Sequence, residues 1–579
     1  MNMPDPQAIA AAWAAQLTDP SAWQAWLTPG MPAAGPLAGL VKDGGAAIPP
    51  STLEALRDDY LHKAADLWQG AMLGKLPALH DKRFSGSAWL DNPMSSFSAA
   101  SYLLNAQFLT AMADAVDAPA REKQKIRFAV QQMVDAMSPA NFLATNPEAQ
   151  QQLIESKGDS LAKGMANMLK DLQKGRISQS DESAFRVGEN VATTPGTVVY
   201  ENELFQLIQY SPATPTVHAV PLLMIPPCIN KFYILDLQPE NSLVRYVVEQ
   251  GNTVFMVSWR NPDQSLAHTT WDDYVELGAI RAIDVASEIS GQDKLNVFGF
   301  CVGGTIAATA LAVLAARGQQ PAASLTLLTT LLDYSDTGVL DVFIDDTQVA
   351  LRETMLAKGG LMPGRDLATT FSSLRPNDLM WNYVQQNYLK GKEPPAFDLL
   401  YWNADSTNLP GPMFCYYLRN MYLENNLRIP GKLTVAGGKV DLGAIDAPVF
   451  IYGSKEDHIV PWDAAFRSLA LLNPGRPENN TFVLGASGHI AGVINPAAKN
   501  KRSHWISDPA PEGARAGVAA SAAEWMAAAH EEQGSWWGVW AAFLAKHGGA
   551  QVAPPAAPGN AHYPAGEAAP GSYVKARAD

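Results

Sequence analysis

The chain has few cysteines and few positive charges. Its three cysteines, Cys228, Cys301 and Cys415, are an odd and sparse set among 579 residues, which excludes a disulfide framework and suits a reducing compartment. The 42 lysines and arginines are outnumbered by 57 acidic residues, which gives a formal charge of −15. An extended cationic surface for nucleic acid or for anionic membranes is therefore not expected.

Long apolar runs are also missing from the sequence. The longest, residues 305–316, is well short of the ~20 residues that a membrane-spanning helix needs, so we expect a buried helix there and no transmembrane segment. The N-terminal MNMPDPQAIAAAW has no cationic stretch followed by an apolar core. We therefore expect no signal peptide and a cytoplasmic protein.

The first third of the chain has a helical pattern. Residues 1 to about 50 are rich in Ala, Pro and Gly, which predicts a flexible arm. From there to about 190, apolar residues recur at three- to five-residue steps and mark several apolar helix faces. We predict a mainly helical N-terminal domain over 1–190, whose apolar faces serve helix packing, a partner, a second subunit or a lipid-like surface.

The remainder of the chain, 191–579, has the pattern of an α/β domain. Short β-branched runs such as NTVFMVSW, KLNVFGF and APVFIYG alternate with helical spans, which predicts a largely parallel sheet with helices on its faces. The alternation lapses between about 335 and 440, where we interpret an aromatic-rich stretch as a cap insertion. The tail from about 547 has few large apolar residues and is predicted to be flexible or draped over the surface.

The stretch LNVFGFCVGG contains the frame Gly299-x-Cys301-x-Gly303. This spacing is that of the strand-turn-helix elbow that exposes the nucleophile of α/β-hydrolases, with Cys in place of Ser. A strand-like run precedes it and an Ala-rich helical run follows it, as the motif requires. We therefore predict a nucleophilic Cys301; the alternative is a buried, inert cysteine in a Gly-rich turn.

An acid and a histidine should follow the nucleophile in chain order, each after a later strand. Asp457 follows the run VFIYG and His489 follows TFVLG. His458 also lies after a strand, but it is adjacent to the acid and poorly placed to receive its hydrogen bond. We predict His489 as the base and Asp457 as the residue that orients it and stabilises its charge.

The oxyanion hole and the thiol suggest the reaction class. One oxyanion donor should be the backbone N–H of Val302, and a second should come from the loop around Cys228, Ile229 or Asn230, with Ile229 as our choice. A serine ester lies well below a thioester in free energy, whereas a cysteine thioester keeps an acyl group activated. The site therefore favours acyl transfer from a thioester to an acceptor other than water.

Several stretches of the sequence closely resemble class I polyhydroxyalkanoate synthases. They are DAMSPANFLATNPEAQQQLIESKG, PPCINKFYILDLQPENSLVRYVVEQG, VSWRNPD, GFCVGG, YGSKEDHIVPW and LGASGHIAGVINPAAKNKRSHW, so the likeness runs from about residue 80 to 546. The resemblance implies an α/β-hydrolase fold and an enzyme that polymerises (R)-3-hydroxyacyl-CoA, chiefly 3-hydroxybutyryl-CoA, into a storage polyester with release of CoA.

The same resemblance implies roles for parts of the chain. Cys301 would carry the growing polyester, Asp457 and His489 match the acid and base, and Val302 falls at the position of an oxyanion donor. The N-terminal domain would take part in homodimerisation and association with polyester granules, and the cap would control access. No cofactor and no metal is implied, since CoA is part of substrate and product.

Further substrate contacts are expected near the triad. CoA carries phosphates, and Lys501 and Arg502 in KNKRSHW offer cationic groups, although both also suit a solvated surface. Asn230 is a candidate for substrate binding, and His458 is either a pocket residue or a structural neighbour. Two rival functions stay open: a Cys-dependent hydrolase of the dienelactone-hydrolase kind, and a granule-surface scaffold without activity.

Overall fold

The computed structural model describes residues 48–507 and 521–578, and these form two compact units. The first consists of Met1–Gln179 with Phe371–Pro395, and the second of Ser180–Thr370 with Ala396–Asp579. The predicted arm over residues 1 to about 50 lies almost wholly outside the described residues. Each unit has its own buried core and is described by itself below.

The first unit is helical, as its apolar periodicity predicts. Its α-helices α1 to α6 span Pro50–Met72, Ser87–Leu90, Pro93–Ala115, Ala120–Ala136, Pro147–Glu155 and Asp159–Lys174. Three of them begin with proline at the first helical position, where the missing N–H costs nothing. Tyr60 of α1 packs on Phe108 of α3 with ring centroids 4.7 Å apart, and its hydroxyl donates to Asn105 at 2.8 Å.

Phe371–Pro395 belongs to this first unit, although the sequence analysis places it in the cap of the second. Two π-helical turns, Asn377–Trp381 and Val384–Leu389, supply polar side chains that bond α4, α6 and the turn between α4 and α5. Asn377 donates to Asp135 at 2.6 Å, and Tyr388 donates to Asp171 at 2.8 Å. These partners lie more than 200 residues apart in the chain, which is why local sequence pattern does not show them.

The second unit is built on one sheet of ten strands. Its strands β1 to β10 span Gly196–Glu201, Phe205–Tyr210, Leu222–Ile225, Val254–Trp259, Leu295–Phe300, Ala322–Leu328, Val449–Ser454, Asn480–Gly485, Ser503–Ile506 and His530–Gln533. The spatial order is β1-β2-β4-β3-β5-β6-β7-β8-β9-β10. The six central strands are β4, β3, β5, β6, β7 and β8 in spatial order, and each pairs in parallel with the next. The pairs that flank them are antiparallel. The predicted α/β-hydrolase fold is confirmed.

Both faces of this sheet are covered, so its central strands are apolar throughout. Successive side chains alternate between two cores: Val297 faces one and Phe298 the other. The first core includes the helix that follows β5, and the second includes three tryptophans near the C-terminus, Trp536, Trp537 and Trp540. Burial on both faces explains why β5 reads as a continuous apolar run rather than an alternating one.

Helices connect the strands of the second unit. Outside the cap, α7 to α9 span Leu243–Glu249, Trp271–Asp273 and Arg281–Ser290, with a π-helical stretch Tyr274–Ile280 joining the last two, and α10 spans Val302–Ala316. In the predicted cap stretch, α11 to α14 span Asp346–Leu356, Gly364–Ser373, Asp398–Asn403 and Gly411–Tyr417. The last four, α15 to α18, span Trp462–Arg467, His489–Val493, Ala522–Ala528 and Trp537–Lys546.

The C-terminal tail is docked rather than flexible, which corrects the prediction for residues beyond about 547. Gln551–Val552 pairs with Val217–His218, and the backbone of Glu567 accepts from Val198 N–H of the edge strand β1 at 2.9 Å. Side chains of the tail add to these backbone bonds, because Val574 is buried and the Tyr573 hydroxyl donates to Asn202 O at 2.8 Å. A few such residues hold a segment whose overall apolar content is low. No helix among residues 48–507 and 521–578 is long and apolar enough to cross a membrane.

Candidate active site

Cys301 lies on a strained turn between β5 and α10. Its backbone has φ 53° and ψ −128°, a left-handed conformation that is costly for a residue with a side chain. The turn is held from both sides, because Cys301 N–H donates to Leu328 O at 3.0 Å and its carbonyl accepts from Gly304 N–H at 2.9 Å. The thiol is left partly exposed at the carboxyl end of the parallel strands.

Glycine is required in this turn because other backbone comes very close. A Cβ on Gly299 would lie 2.3 Å from Gly304 Cα, and a Cβ on Gly303 would lie 2.3 Å from Ile225 O and 2.5 Å from Pro226 O. Real Cβ atoms do not approach backbone so closely. The elbow therefore packs directly on the end of β3, next to the loop that follows it.

Asp457 follows β7 and is fixed by its own loop. Its Oδ1 accepts backbone N–H bonds from Ile459 at 2.8 Å and from Val460 at 2.9 Å, and its side chain is fully buried. The other oxygen, Oδ2, lies 2.7 Å from Nδ1 of His489. Because the loop holds the carboxylate in place, it fixes which nitrogen of that imidazole carries the proton.

His489 is the first residue of α16, directly after the loop that leaves β8. Burial alone would lower the pKa of His489, but the charge of Asp457, the charge of Cys301 and hydrogen bonds to both raise it to about 10. Its ring also stacks on Phe300, with centroids 5.8 Å apart. The structure thus brings Asp457, His489 and Cys301 together at one site, with Asp457 hydrogen-bonded to His489 and the Cys301 thiol close enough to raise the pKa of the imidazole. His458 lies in the same loop as Asp457.

The two sequence-predicted oxyanion residues lie in two segments, the elbow itself and the loop that follows β3. Val302 begins α10, directly after the nucleophile, and is buried. Ile229 lies in the loop after β3, and its carbonyl accepts from Thr407 N–H at 3.3 Å. Asn230 forms an isolated bridge with Ser406, and its Oδ1 is buried with no hydrogen-bond partner among the residues that the structure describes. A buried amide oxygen of this kind can accept a hydrogen bond from a ligand.

Sequence reasoning missed a cluster of tyrosines beside the nucleophile. The Tyr334 hydroxyl lies 3.0 Å from Thr305 Oγ1 and 3.3 Å from the Tyr417 hydroxyl, and the Tyr422 ring contacts both tyrosines. Burial raises the pKa of Tyr417 and Tyr422, and negative charge on Cys301 raises it further. The aromatic richness of 335–440 was the available signal, but it could not say which rings approach the thiol.

The sequence-predicted phosphate contacts lie at the surface. Lys501 and Arg502 are exposed, and Arg502 has φ 68° with its guanidinium donating to the carbonyl of Ala491 in α16. The Arg502 side chain is thus tied to the helix that begins with His489. Its further role, like that of Lys501, stays a prediction.

The chain is similar to known proteins over most of its length. Residues 80–247 match the family described as "Poly-beta-hydroxybutyrate polymerase (PhaC) N-terminus", and residues 221–496 match the alpha/beta hydrolase fold. The chain is 60% identical to the poly(3-hydroxyalkanoate) polymerase subunit PhaC of Cupriavidus necator, over 97% of this chain and 96% of the relative. It is 40% identical to the Rhizobium meliloti protein of the same description, over 86% and 80%, and 41% identical to the poly(3-hydroxyalkanoate) polymerase of Methylorubrum extorquens, over 87% and 82%.

Proposed function

The chain belongs to the poly(3-hydroxyalkanoate) polymerases, and from this premise we propose the substrate, the carrier and the course of its reaction. It is a transferase. The substrate is (R)-3-hydroxyacyl-CoA, chiefly 3-hydroxybutyryl-CoA, and CoA is the leaving group. Cys301 carries the acyl chain as a thioester. The observation that carries the proposal is the Asp457–His489 hydrogen bond beside a partly exposed thiol on a strained elbow.

The first step transfers an acyl group from CoA to the enzyme. With its proton on His489, the Cys301 sulfur attacks the carbonyl carbon of the thioester, and the oxygen becomes an oxyanion between the N–H groups of Val302 and Ile229. The carbon–sulfur bond to CoA then breaks, and His489 returns the proton to the departing CoA sulfur. Asp457 stabilises the imidazolium that exists between these two events.

The second step lengthens the polyester. The hydroxyl of another acyl unit attacks the Cys301 thioester, its proton passes to His489, and an oxygen ester forms as the cysteine sulfur is released. Because the enzyme-bound chain is a thioester, this transfer is downhill. A serine at position 301 would hold the chain as an ester and remove that driving force, which accounts for the thiol.

Side chains around the triad are proposed to hold the substrate. The buried Oδ1 of Asn230 accepts a hydrogen bond from substrate, and His458 lines the pocket beside Asp457. Lys501 and Arg502 contact CoA phosphates. Thr305 and the tyrosines supply a largely apolar, water-poor wall for the acyl chain. No metal or separate cofactor takes part.

The partners proposed for this enzyme follow from its insoluble product. The growing polyester is held at Cys301, the protein acts as a homodimer, and it associates with granules in the cytoplasm. Apolar side chains on α6 of the first unit support the granule contact, since Met165, Leu169 and Leu172 are exposed there. Exposed apolar faces of this kind mark surfaces for a partner or an apolar phase.

The experiment is CoA release from (R)-3-hydroxybutyryl-CoA by the parent chain, Cys301→Ala and Cys415→Ala, with the acyl product recovered and sized. Cys415 is the matched control because it is buried in α14. We expect long polyester from the parent and the control and none from Cys301→Ala. Free 3-hydroxybutyrate would instead show a hydrolase, and turnover that ignores Cys301 would contradict the carrier.

A further inference from the structure

A lysine is buried in the loop that carries the oxyanion donor. Lys231 follows Ile229 and Asn230, and only 2% of its surface is exposed. Its carbonyl accepts from Trp402 Nε1 at 2.7 Å, so its backbone is fixed. Burying an ammonium group costs several kcal/mol unless partners replace its water, so this lysine needs a structural or functional reason.

The partner of that ammonium group is the C-terminal tail. Lys231 Nζ donates to the carbonyl of Ala576, near the end of the described chain. Burial lowers the pKa of Lys231 to about 8, although Asp405 raises it, and Arg577 lowers it. Asp405 is itself buried and accepts from the Tyr233 hydroxyl at 2.9 Å.

The next residue of the tail continues the connection. The Arg577 guanidinium lies over the Tyr401 ring at 5.3 Å, donates to the Tyr401 hydroxyl at 3.0 Å and pairs with Glu182 at 3.3 Å. Its carbonyl accepts from Asn261 Nδ2 at 3.0 Å, and Asn261 in turn accepts from Asn408 N–H at 3.0 Å.

These bonds join three segments around the loop after β3. Thr407 N–H donates to Ile229 O, Asn408 N–H donates to Asn261, and Asn261 donates to the tail. The tail therefore reaches the oxyanion loop twice, directly through Lys231 and indirectly through Asn261 and the segment at 407–408. A donor must be held to within about 0.5 Å to stabilise an oxyanion, which such bracing achieves.

We propose that Lys231 and the tail residues Ala576 and Arg577 form a clamp that positions the Ile229 N–H for the oxyanion. Lys231 is a positioning residue, because its ammonium group bonds the tail and does not touch the reacting atoms. This inference rests on the proposed acyl transfer. It adds that Ala576 and Arg577 of the tail help to position an oxyanion donor.

The test compares two reactions of the same cysteine. Acylation of Cys301 by 3-hydroxybutyryl-CoA passes through an oxyanion, whereas alkylation by iodoacetamide is a direct displacement that needs no oxyanion hole. In Lys231→Met we expect kcat for CoA release to fall by roughly 10²- to 10³-fold, as for loss of one oxyanion donor. We expect KM and the alkylation rate, read by mass spectrometry of the Cys301 peptide, to stay within about twofold.

Two further variants keep the test decisive. Arg577→Gln loosens the clamp from its more exposed side and should lower kcat about tenfold with alkylation unchanged, even where Lys231→Met fails to fold. Glu567→Ala is the control, because it removes tail bonds to Gln206 and Ser572 that do not touch the oxyanion loop; its kcat should match the parent.

The outcomes separate this inference from the proposed function. Unchanged kcat in both clamp variants would overturn the clamp, and so would parallel losses of acylation and alkylation, which indicate general disruption of the site. Loss of kcat in Glu567→Ala would show that any loosening of the tail is enough and would also overturn it. A parent chain that releases no CoA would instead refute the acyl transfer.

Discussion

Two neighbouring strands of the sheet each lead into a cysteine, and the two thiols have opposite surroundings. Cys228 lies three residues after β3, is 1% exposed, and has its pKa raised to about 12 by burial and by the negative charge of Cys301. Cys301 directly follows β5 and is partly exposed, and its negative charge helps to raise the pKa of the neighbouring His489. β3 and β5 pair in parallel, so the two cysteines reach the same edge of the sheet.

The difference shows that a cysteine at a strand end is not a nucleophile by position alone. A reactive cysteine needs two things. Its thiolate must be stabilised by a compensating charge, and its sulfur must be accessible to substrate. The elbow supplies both through its strained turn and the paired imidazole, whereas the loop after β3 supplies neither to Cys228. In the mechanism proposed above, that loop instead contributes a backbone N–H group, so one strand end supplies the nucleophile and the other supplies an oxyanion donor.

Removing the Asp457 carboxylate should abolish most of the activity that depends on Cys301. In Asp457→Asn the His489 ring loses the carboxylate that fixes its tautomer and stabilises its charge, so kcat should fall by roughly 10²- to 10⁴-fold. Asp463→Asn is the control, since that acid pairs with Arg467 at the surface. CoA release under single-turnover conditions checks both, and a loss below about tenfold in Asp457→Asn would refute the assigned role.

The raised pKa of His489 predicts that the stability of the folded chain depends on pH. The imidazole pKa is about 10 in the folded chain and 6.5 as its ordinary value, so protonation favours the folded state. That contribution is complete below about pH 6.5 and is lost as the pH rises to 10, by at most about 1.4 kcal/mol per pH unit. Urea unfolding of the parent and His489→Gln should therefore diverge most at pH 6, and an equal difference at pH 6 and 10 would contradict it.

The contact between the two strand ends can be broken directly. Gly303→Ala places a methyl group against the carbonyls of Ile225 and Pro226, so the elbow must move away from β3. We expect a loss of about 1–3 kcal/mol in the free energy of unfolding together with a fall in kcat. Gly538→Ala, with nothing within 4 Å of its Cβ inside α18, should instead gain up to about 1 kcal/mol. Equal denaturation midpoints for the two variants would show that the elbow has room for a methyl group at position 303, which would contradict the close contact with the end of β3.

The parts that sequence predicted share a local signal. The elbow motif spans five residues, and Asp457 and His489 each follow a recognisable strand. Their meeting at one edge of the sheet, with Asp457 bonded to His489, therefore followed from the order of strands in a parallel sheet. The α/β-hydrolase fold and the synthase family were also predicted from such local motifs, and the comparisons with known proteins confirm both. The catalytic roles stay predictions.

The parts that sequence did not predict depend on distant backbone contacts. Phe371–Pro395 joins the first unit through polar bonds to residues more than 200 positions away, and the tail docks through backbone and side-chain contacts to residues that are also more than 200 positions away. Lys231 was visible as a lysine inside the apolar stretch CINKFYIL, but its partner Ala576 lies 345 residues later. Neither periodicity nor composition carries such information.

Of the substitutions considered other than the controls, Cys228→Ala is expected to have the smallest effect on kcat and stability. Cys228→Ala removes one buried sulfur, so it should cost about 1 kcal/mol in stability and leave kcat within about threefold. In Cys301→Ala, a thiol reagent such as Ellman's should find close to no reactive cysteine in the native protein and two after unfolding in urea, because Cys228 and Cys415 are both buried and have raised pKa values. Rapid labelling of Cys228 in the native protein would mean that the loop after β3 opens readily. A loop that opens cannot hold an oxyanion donor in place, so this result would contradict the role proposed for that loop.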